Sequence, residues 1–158
     1  LEEIKRMSDR RKIGAVVAPN FAIGAVLMMQ FAEMASRHFH ASEIIEMHHD
    51  AKVDAPSGTA IKTAWRISDP GLAAREAAAS DEAPCARGEN IGGTRIHSVR
   101  LPGLVAHHEV IFGGPGQALT IRHDSFSRES FMPGVILAVR EVMRLDTAVF
   151  GLEHLLGL

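Results

Sequence analysis

Cysteine is almost missing from this chain. Cys85 is the single cysteine in 158 residues, so no disulfide can close within the chain. One thiol fits a reducing cytoplasm, which is the expected location. No uninterrupted apolar run reaches the length that spans a bilayer, and Leu1 to Lys12 is charged and helix-like, unlike a signal peptide. A strong charge of one sign is also missing. Seventeen basic residues face nineteen acidic ones, a formal net charge of -2, so neither nucleic acid nor a membrane surface is an expected partner. No Gly-x-Gly-x-x-Gly loop occurs to cradle a pyrophosphate. No His-Glu-x-x-His pair occurs to hold a catalytic zinc. A starting methionine is absent too, and the chain is expected to be a piece of a longer protein.

What is present is material for a core. Hydrophobic residues make up 46% and charged residues 23%, which suits one ordinary soluble domain. Leu1 to Arg11 reads as the end of a helix and Lys12 to Val17 as a short strand. Ala18-Pro19-Asn20-Phe21 breaks that strand with turn-forming residues. Ile23, Val26, Leu27, Phe31, Met34 and Ala35 recur at helical spacing and predict a helix from Ile23 to Phe39. Its methionines Met28, Met29 and Met34 read as core filling. Ser42 to Met47 is a strand candidate, His48 to Pro56 a polar loop, and Ser57 to Ser68 a helix with Ser57 as N-cap. Asp69 to Asn90 reads as a short helix between loops. Thr94 to Leu101, Ala106 to Phe112 and Gln117 to Asp124 read as strands divided by Pro102-Gly103 and Gly113-Gly114-Pro115-Gly116. Their close spacing favours antiparallel pairing. Phe131 to Leu145 is the last helix, with Val135, Ile136, Val139, Val142 and Met143 as an apolar stripe. The predicted fold class is α+β, a mixed and largely antiparallel sheet with helices on one face. The other face then needs a cover, and a second subunit is expected to supply it.

The chemistry is concentrated in Glu46-Met47-His48-His49-Asp50-Ala51-Lys52-Val53-Asp54-Ala55-Pro56-Ser57-Gly58-Thr59-Ala60. The segment runs from a strand end to a helix start. Ser57, Gly58 and Thr59 offer backbone N–H groups and two hydroxyls at a helix N-terminus, a place that favours an anion. Two imidazoles and an ammonium lie just upstream and can donate protons or bind a carboxylate. The pattern suits a small acidic substrate that needs a proton. A capped helix behind a solvated loop explains the same residues equally well. A metal-dependent hydrolase built on His48, His49 and Asp50 is disfavoured, since neighbouring histidines in a strand diverge, and no metal site is expected. The same divergence applies to His107 and His108. His97 and His123 read as structural, and His38 and His40 as cations at a helix end.

The same segment resembles the signature of the dihydrodipicolinate reductase family, through Glu46, His48, His49, Lys52, Asp54 and Pro56 to Ala60. Ala18 to Gly24, Arg87 to Gly92, His123 to Arg128 with Phe131, and Gly151 to Leu156 resemble further family segments. The resemblance covers nearly the whole chain. It implies NADH- or NADPH-dependent reduction of a cyclic unsaturated dicarboxylate to tetrahydrodipicolinate, in lysine biosynthesis through diaminopimelate. It implies His48 as acid/base residue, Lys52 as its cationic partner and proton donor, and His49, Ser57, Gly58, Thr59 and Arg128 as substrate-binding residues. Ala18, Pro19, Asn20 and Phe21 would approach the nicotinamide. It further implies a homotetramer. The departure is the Rossmann domain with which the family opens. Residues 1–21 are expected to be its remnant, residues 22–130 the substrate-binding and oligomerisation domain, and residues 131–158 a helix and tail that pack on the cofactor domain. The fragment alone is expected to be an inactive oligomerising or dicarboxylate-binding module.

Overall fold

The computed structural model describes residues 1–68 and 85–158. The helix expected within 69–90 therefore lies largely outside the described residues. The chain divides into two compact units. One joins Leu1–Val26 to Ser127–Leu158, and the other is Leu27–Phe126.

The first unit opens with helix α1, Glu2–Arg11. Glutamates in its first turn and arginines in its last complement the helix dipole. Lys12 ends it in the left-handed conformation, φ 54°, so strand β1 starts only at Ala15 and runs to Val17, three residues later than the sequence predicts. Beyond β1, Asn20 Oδ1 accepts the backbone N–H of Ala22 at 2.8 Å, which fixes the turn into helix α2, Ile23–Ser36. The first turn of α2 belongs to this unit. The last helix of appreciable length, α4, covers Met132–Val142. Near Phe21 its Gly134 has no room for a Cβ, which would meet the Phe21 carbonyl oxygen and Leu152. The chain then forms strand β7, Ala148–Phe150, which pairs in parallel with β1, and a short helix, Glu153–Leu156. Strand β7 was not legible in the sequence. Three residues carry no period, and a parallel partner 133 positions away leaves no local trace.

The second unit is a five-stranded sheet with helices. Strand β2 (Ala41–His48) lies at its centre, and helix α3 (Gly58–Ile67) follows it. Strands β3 (Glu89–Ile91), β4 (Thr94–Arg100), β5 (Ala106–Gly114) and β6 (Gln117–Ser125) complete it in the order β3-β4-β2-β5-β6. The predicted meander is corrected here. Strands β4 and β5 are not neighbours, because β2 lies between them, parallel to β4 and antiparallel to β5. Helix α3 supplies the crossover that parallel pairing of β2 and β4 needs. Strand β3 was missed, although its signal is present. Gly92 and Gly93 both have positive φ and join Ile91 to Thr94 as a two-residue hairpin.

Alternation along the strands separates the two sheet faces. Ile44, Ile96, Val110 and Phe112 are buried on one face. Helix α3 packs over β2, β3 and β4 and buries Ala60, Thr63, Ala64 and Ile67. Arg66 of α3 ties it to α2 through Glu33 at 2.7 Å and Gln30 at 2.8 Å. Met28, Met29 and Ala32 of α2 are buried, as core filling predicts. Helix α2 ends three residues before the predicted Phe39. The Ser36 hydroxyl donates to the Glu33 carbonyl, and Phe39 turns away to pack against Phe112, ring centroids 5.8 Å apart. The opposite face carries Ile45, Met47, Val99 and Ile111, all only partly covered.

Candidate active site

Strand β2 carries the chain into the site. Ile44, Glu46 and His48 share the helix-covered face, and the register sets Glu46 between Ser98 of β4 and His108 of β5. His48 lies one step further along, between Arg100 and Ala106. After His48 the chain leaves the sheet in a tight turn, closed by the Lys52 N–H to the His49 carbonyl at 3.1 Å. The loop returns because Arg100 Nη2 donates to the Asp54 carbonyl at 2.7 Å. It ends at Ser57, whose hydroxyl accepts the Ala60 N–H at 3.3 Å and caps α3.

Glu46 is the centre of this arrangement. Its side chain is fully buried, and an ionised carboxylate there must be satisfied by donors. Arg100 reaches both oxygens, at 2.8 and 3.0 Å. His48 Nδ1 lies 2.5 Å from Oε2, and the Ser57 N–H donates to Oε1 at 3.3 Å. Burial alone would raise the Glu46 pKa. The hydrogen bonds from His48, Arg100 and Ser98 and the Arg100 charge outweigh it, and bring the carboxyl down to about 2. His108, almost fully buried beside this pair, is pushed down to about 4, first by burial and against the pull of Glu46. It is uncharged near neutrality.

The residues singled out from sequence fall in different places. His48 is largely buried on the sheet, while His49 follows the strand and is exposed. Lys52 Nζ bonds both oxygens of Asp54, at 2.6 and 2.7 Å, and this bond lowers the Asp54 pKa. His48 and Lys52 therefore each have a carboxylate of their own. Ser57 is buried, with its N–H on Glu46 Oε1 and its hydroxyl oxygen accepting the Ala60 N–H. Gly58 is exposed with open space about its Cα, and Thr59 is partly exposed. Ser57, Gly58 and Thr59 together form the start of α3. Ala18, Pro19, Asn20, Phe21 and Arg128 belong to the first unit, where Arg128 opens a 3-10 turn capped by Ser127.

Glu46, Arg100 and Asp54 received no role from the sequence. Glu46 had a usable signal, a carboxylate at an inward position of an apolar strand, where a charge must be paired. Arg100 had none, because 54 residues separate it from Glu46. Of the other histidines, His107 Nδ1 donates to Asp124 Oδ1, 2.6 Å away, on the opposite face from His108. His97 Nε2 lies 2.7 Å from Glu43. Among the described residues no cluster of three or more metal-ligating side chains occurs.

Residues 24–156 match the family model described as dihydrodipicolinate reductase, C-terminus. A 4-hydroxy-tetrahydrodipicolinate reductase of Geobacillus kaustophilus is 56% identical over 99% of this chain and 60% of its own length. One from Streptococcus sanguinis is 58% identical over 99% of this chain and 62% of its own length. Among solved structures, a dipicolinate-bound dihydrodipicolinate reductase from Paenisporosarcina sp. TG-14 matches with a TM-score of 0.77 and 47% identity, covering 97% of this chain and 58% of that one. The chain thus spans about three fifths of the length of these relatives. A strand that ends in a carboxylate-bound histidine, a lysine loop and a serine-capped helix lie within the matched residues, and the chain belongs to the dihydrodipicolinate reductase family.

Proposed function

We propose that this chain is the dicarboxylate-binding and proton-donating part of a reductase that converts 4-hydroxy-tetrahydrodipicolinate to tetrahydrodipicolinate in the diaminopimelate route to lysine, in the cytoplasm. The observation that carries the reading is the sequence of groups along one short segment. It holds an imidazole fixed by a buried carboxylate, an ammonium, and the open N-terminus of α3. The first two move protons and the third attracts a carboxylate.

The roles follow from placement. Ser57, Gly58 and Thr59 hold one substrate carboxylate at the start of α3, where Ser57 also caps the helix. Lys52, steadied by Asp54, is the cation and proton donor beside the substrate. His48 is the acid/base residue, and His49 touches substrate from the exposed side of the loop. Arg128 adds a guanidinium for a carboxylate. The reduction also needs a hydride, which NADH or NADPH supplies in the intact protein. Among the described residues no glycine-rich turn joins a strand to a helix as a pyrophosphate cradle does. Strand β1 leads into α2 through Ala18-Pro19-Asn20-Phe21, which has no glycine and loses one N–H donor at Pro19. Ala18 to Phe21 are read as the edge that meets the nicotinamide. The first unit is read as part of the dinucleotide domain and of the tail that packs on it.

The partly covered apolar face of the sheet, with Ile45, Met47, Val99 and Ile111, supports assembly as a homotetramer. Among the described residues no helix is long and apolar enough to cross a membrane. Calorimetric titration with pyridine-2,6-dicarboxylate tests the binding role. The chain alone is expected to bind weakly and to oxidise no NADH, whereas the intact protein binds tightly and is active. Absence of dicarboxylate binding by the intact protein would sink the reading.

A further inference from the structure

Glu46 is buried at the heart of the site, touches no solvent, and yet carries a charge held by four neighbouring residues. An ionised carboxylate only accepts hydrogen bonds. In the short contact between Glu46 Oε2 and His48 Nδ1 the proton therefore belongs to the ring. An imidazole whose Nδ1 is committed in this way exchanges protons only at Nε2. The other oxygen of the same carboxylate accepts the Ser57 N–H, where α3 begins. Arg100 grips both oxygens and cannot rotate away without leaving the pair.

We propose that Glu46 is a positioning residue for the reductase reaction, holding His48 in the Nδ1–H tautomer with Nε2 presented for proton exchange and tying that ring to the start of the carboxylate-binding helix. The proposal rests on the reading of His48 as the acid/base residue. When Nε2–H gives its proton to the substrate, a new bond to hydrogen forms there, the N–H bonding pair becomes the Nε2 lone pair and the ring returns to its neutral form. The Nδ1 proton stays on the ring throughout. Charge at the site is balanced across several elements. Arg100 faces His48 from β4, and the uncharged His108 faces Glu46 from β5 with His123 of β6 behind it. The loop after His48 contributes Lys52 with Asp54, and the cap of α3 contributes only the neutral Ser57. Without the Glu46 charge, Arg100 would stand alone beside His48 and disfavour the imidazolium.

Nitrogen-15 NMR on this chain reads the tautomer directly. The neutral His48 ring is expected as Nδ1–H in the unsubstituted chain, and Glu46→Gln is expected to remove that preference. An Nε2–H tautomer in the unsubstituted chain overturns the proposal, and this measurement needs no variant to fold. In the intact reductase, Glu46→Gln is expected to lower kcat on the order of 10²–10⁴-fold with a smaller change in KM. The alkaline limb of the kcat profile should move to lower pH, and Glu46→Asp should restore part of the rate. If Glu46→Gln leaves kcat and its pH profile intact while His48→Ala abolishes activity, the positioning role is wrong and the functional reading stands. If His48→Ala itself leaves kcat unchanged, the functional reading fails and this proposal with it.

Discussion

His108 lies directly across the β2–β5 pair from Glu46, so an uncharged imidazole borders a buried carboxylate on the helix-covered face of the sheet. The two groups answer acid in the same direction, which makes their titration visible in stability.

The folded His108 ring takes a proton only near pH 4, against 6.5 for an ordinary histidine. Between these values the unfolded chain binds more protons, so stability falls as pH drops from 6.5 towards 4. Glu46 then adds a second loss between its ordinary 4.5 and about 2. The histidine part is worth on the order of 3 kcal/mol. Denaturant titrations across this range are expected to show a decline that starts below pH 6.5 and is flatter in His108→Gln between 6.5 and 4. Stability that rises on acidification from 6.5 would refute it.

Arg100→Met keeps much of the side-chain volume and removes the guanidinium from Glu46. Glu46 is fully buried and Arg100 only 17% exposed, so the remaining charge loses its main partner in a dry place. A loss of about 3 kcal/mol is expected, and the acid-induced decline from Glu46 should become smaller, because without Arg100 its folded pKa moves back towards the ordinary 4.5. Urea unfolding of the two chains measures both. A change within the range of an exposed ion pair, below about 1 kcal/mol, would contradict the buried-pair description.

In the intact protein, His48→Ala and Lys52→Ala are expected to lower kcat on the order of 10²–10⁴-fold while the fold survives, as circular dichroism would report. Thr59→Val keeps the shape of the side chain and removes its hydroxyl, and is expected mainly to raise KM. Steady-state kinetics with the dicarboxylate substrate separate the two effects. Unchanged kcat in both of the first variants would remove the assignment.

Light scattering tests the open sheet face. The chain is expected to run as an oligomer, a tetramer by the family reading. Met47→Glu, in the middle of that face on β2, is expected to shift it towards monomer, because a buried carboxylate without a partner is costly. A monomeric unsubstituted chain at working concentrations would rule the interface out.

Local chemistry was readable from the sequence alone. Helical spacing marked α2, the serine before Gly58 marked the start of α3, and the His48-to-Thr59 segment set two imidazoles, an ammonium and a helix start within one short run. These signals lie within a few residues of one another, and backbone geometry converts them into structure without distant help. Tertiary structure decided which strands meet and which charges pair. Insertion of β2 between β4 and β5 brought Arg100 and His108 to Glu46, and the parallel partner of β1 came from the far end of the chain. Such pairings are selected by burial and hydrogen-bond satisfaction over the whole sheet, which no short window of sequence contains. For the same reason the link from Ser57 to Glu46 left no trace in the sequence. Only the folded sheet shows the serine N–H taken by a buried carboxylate.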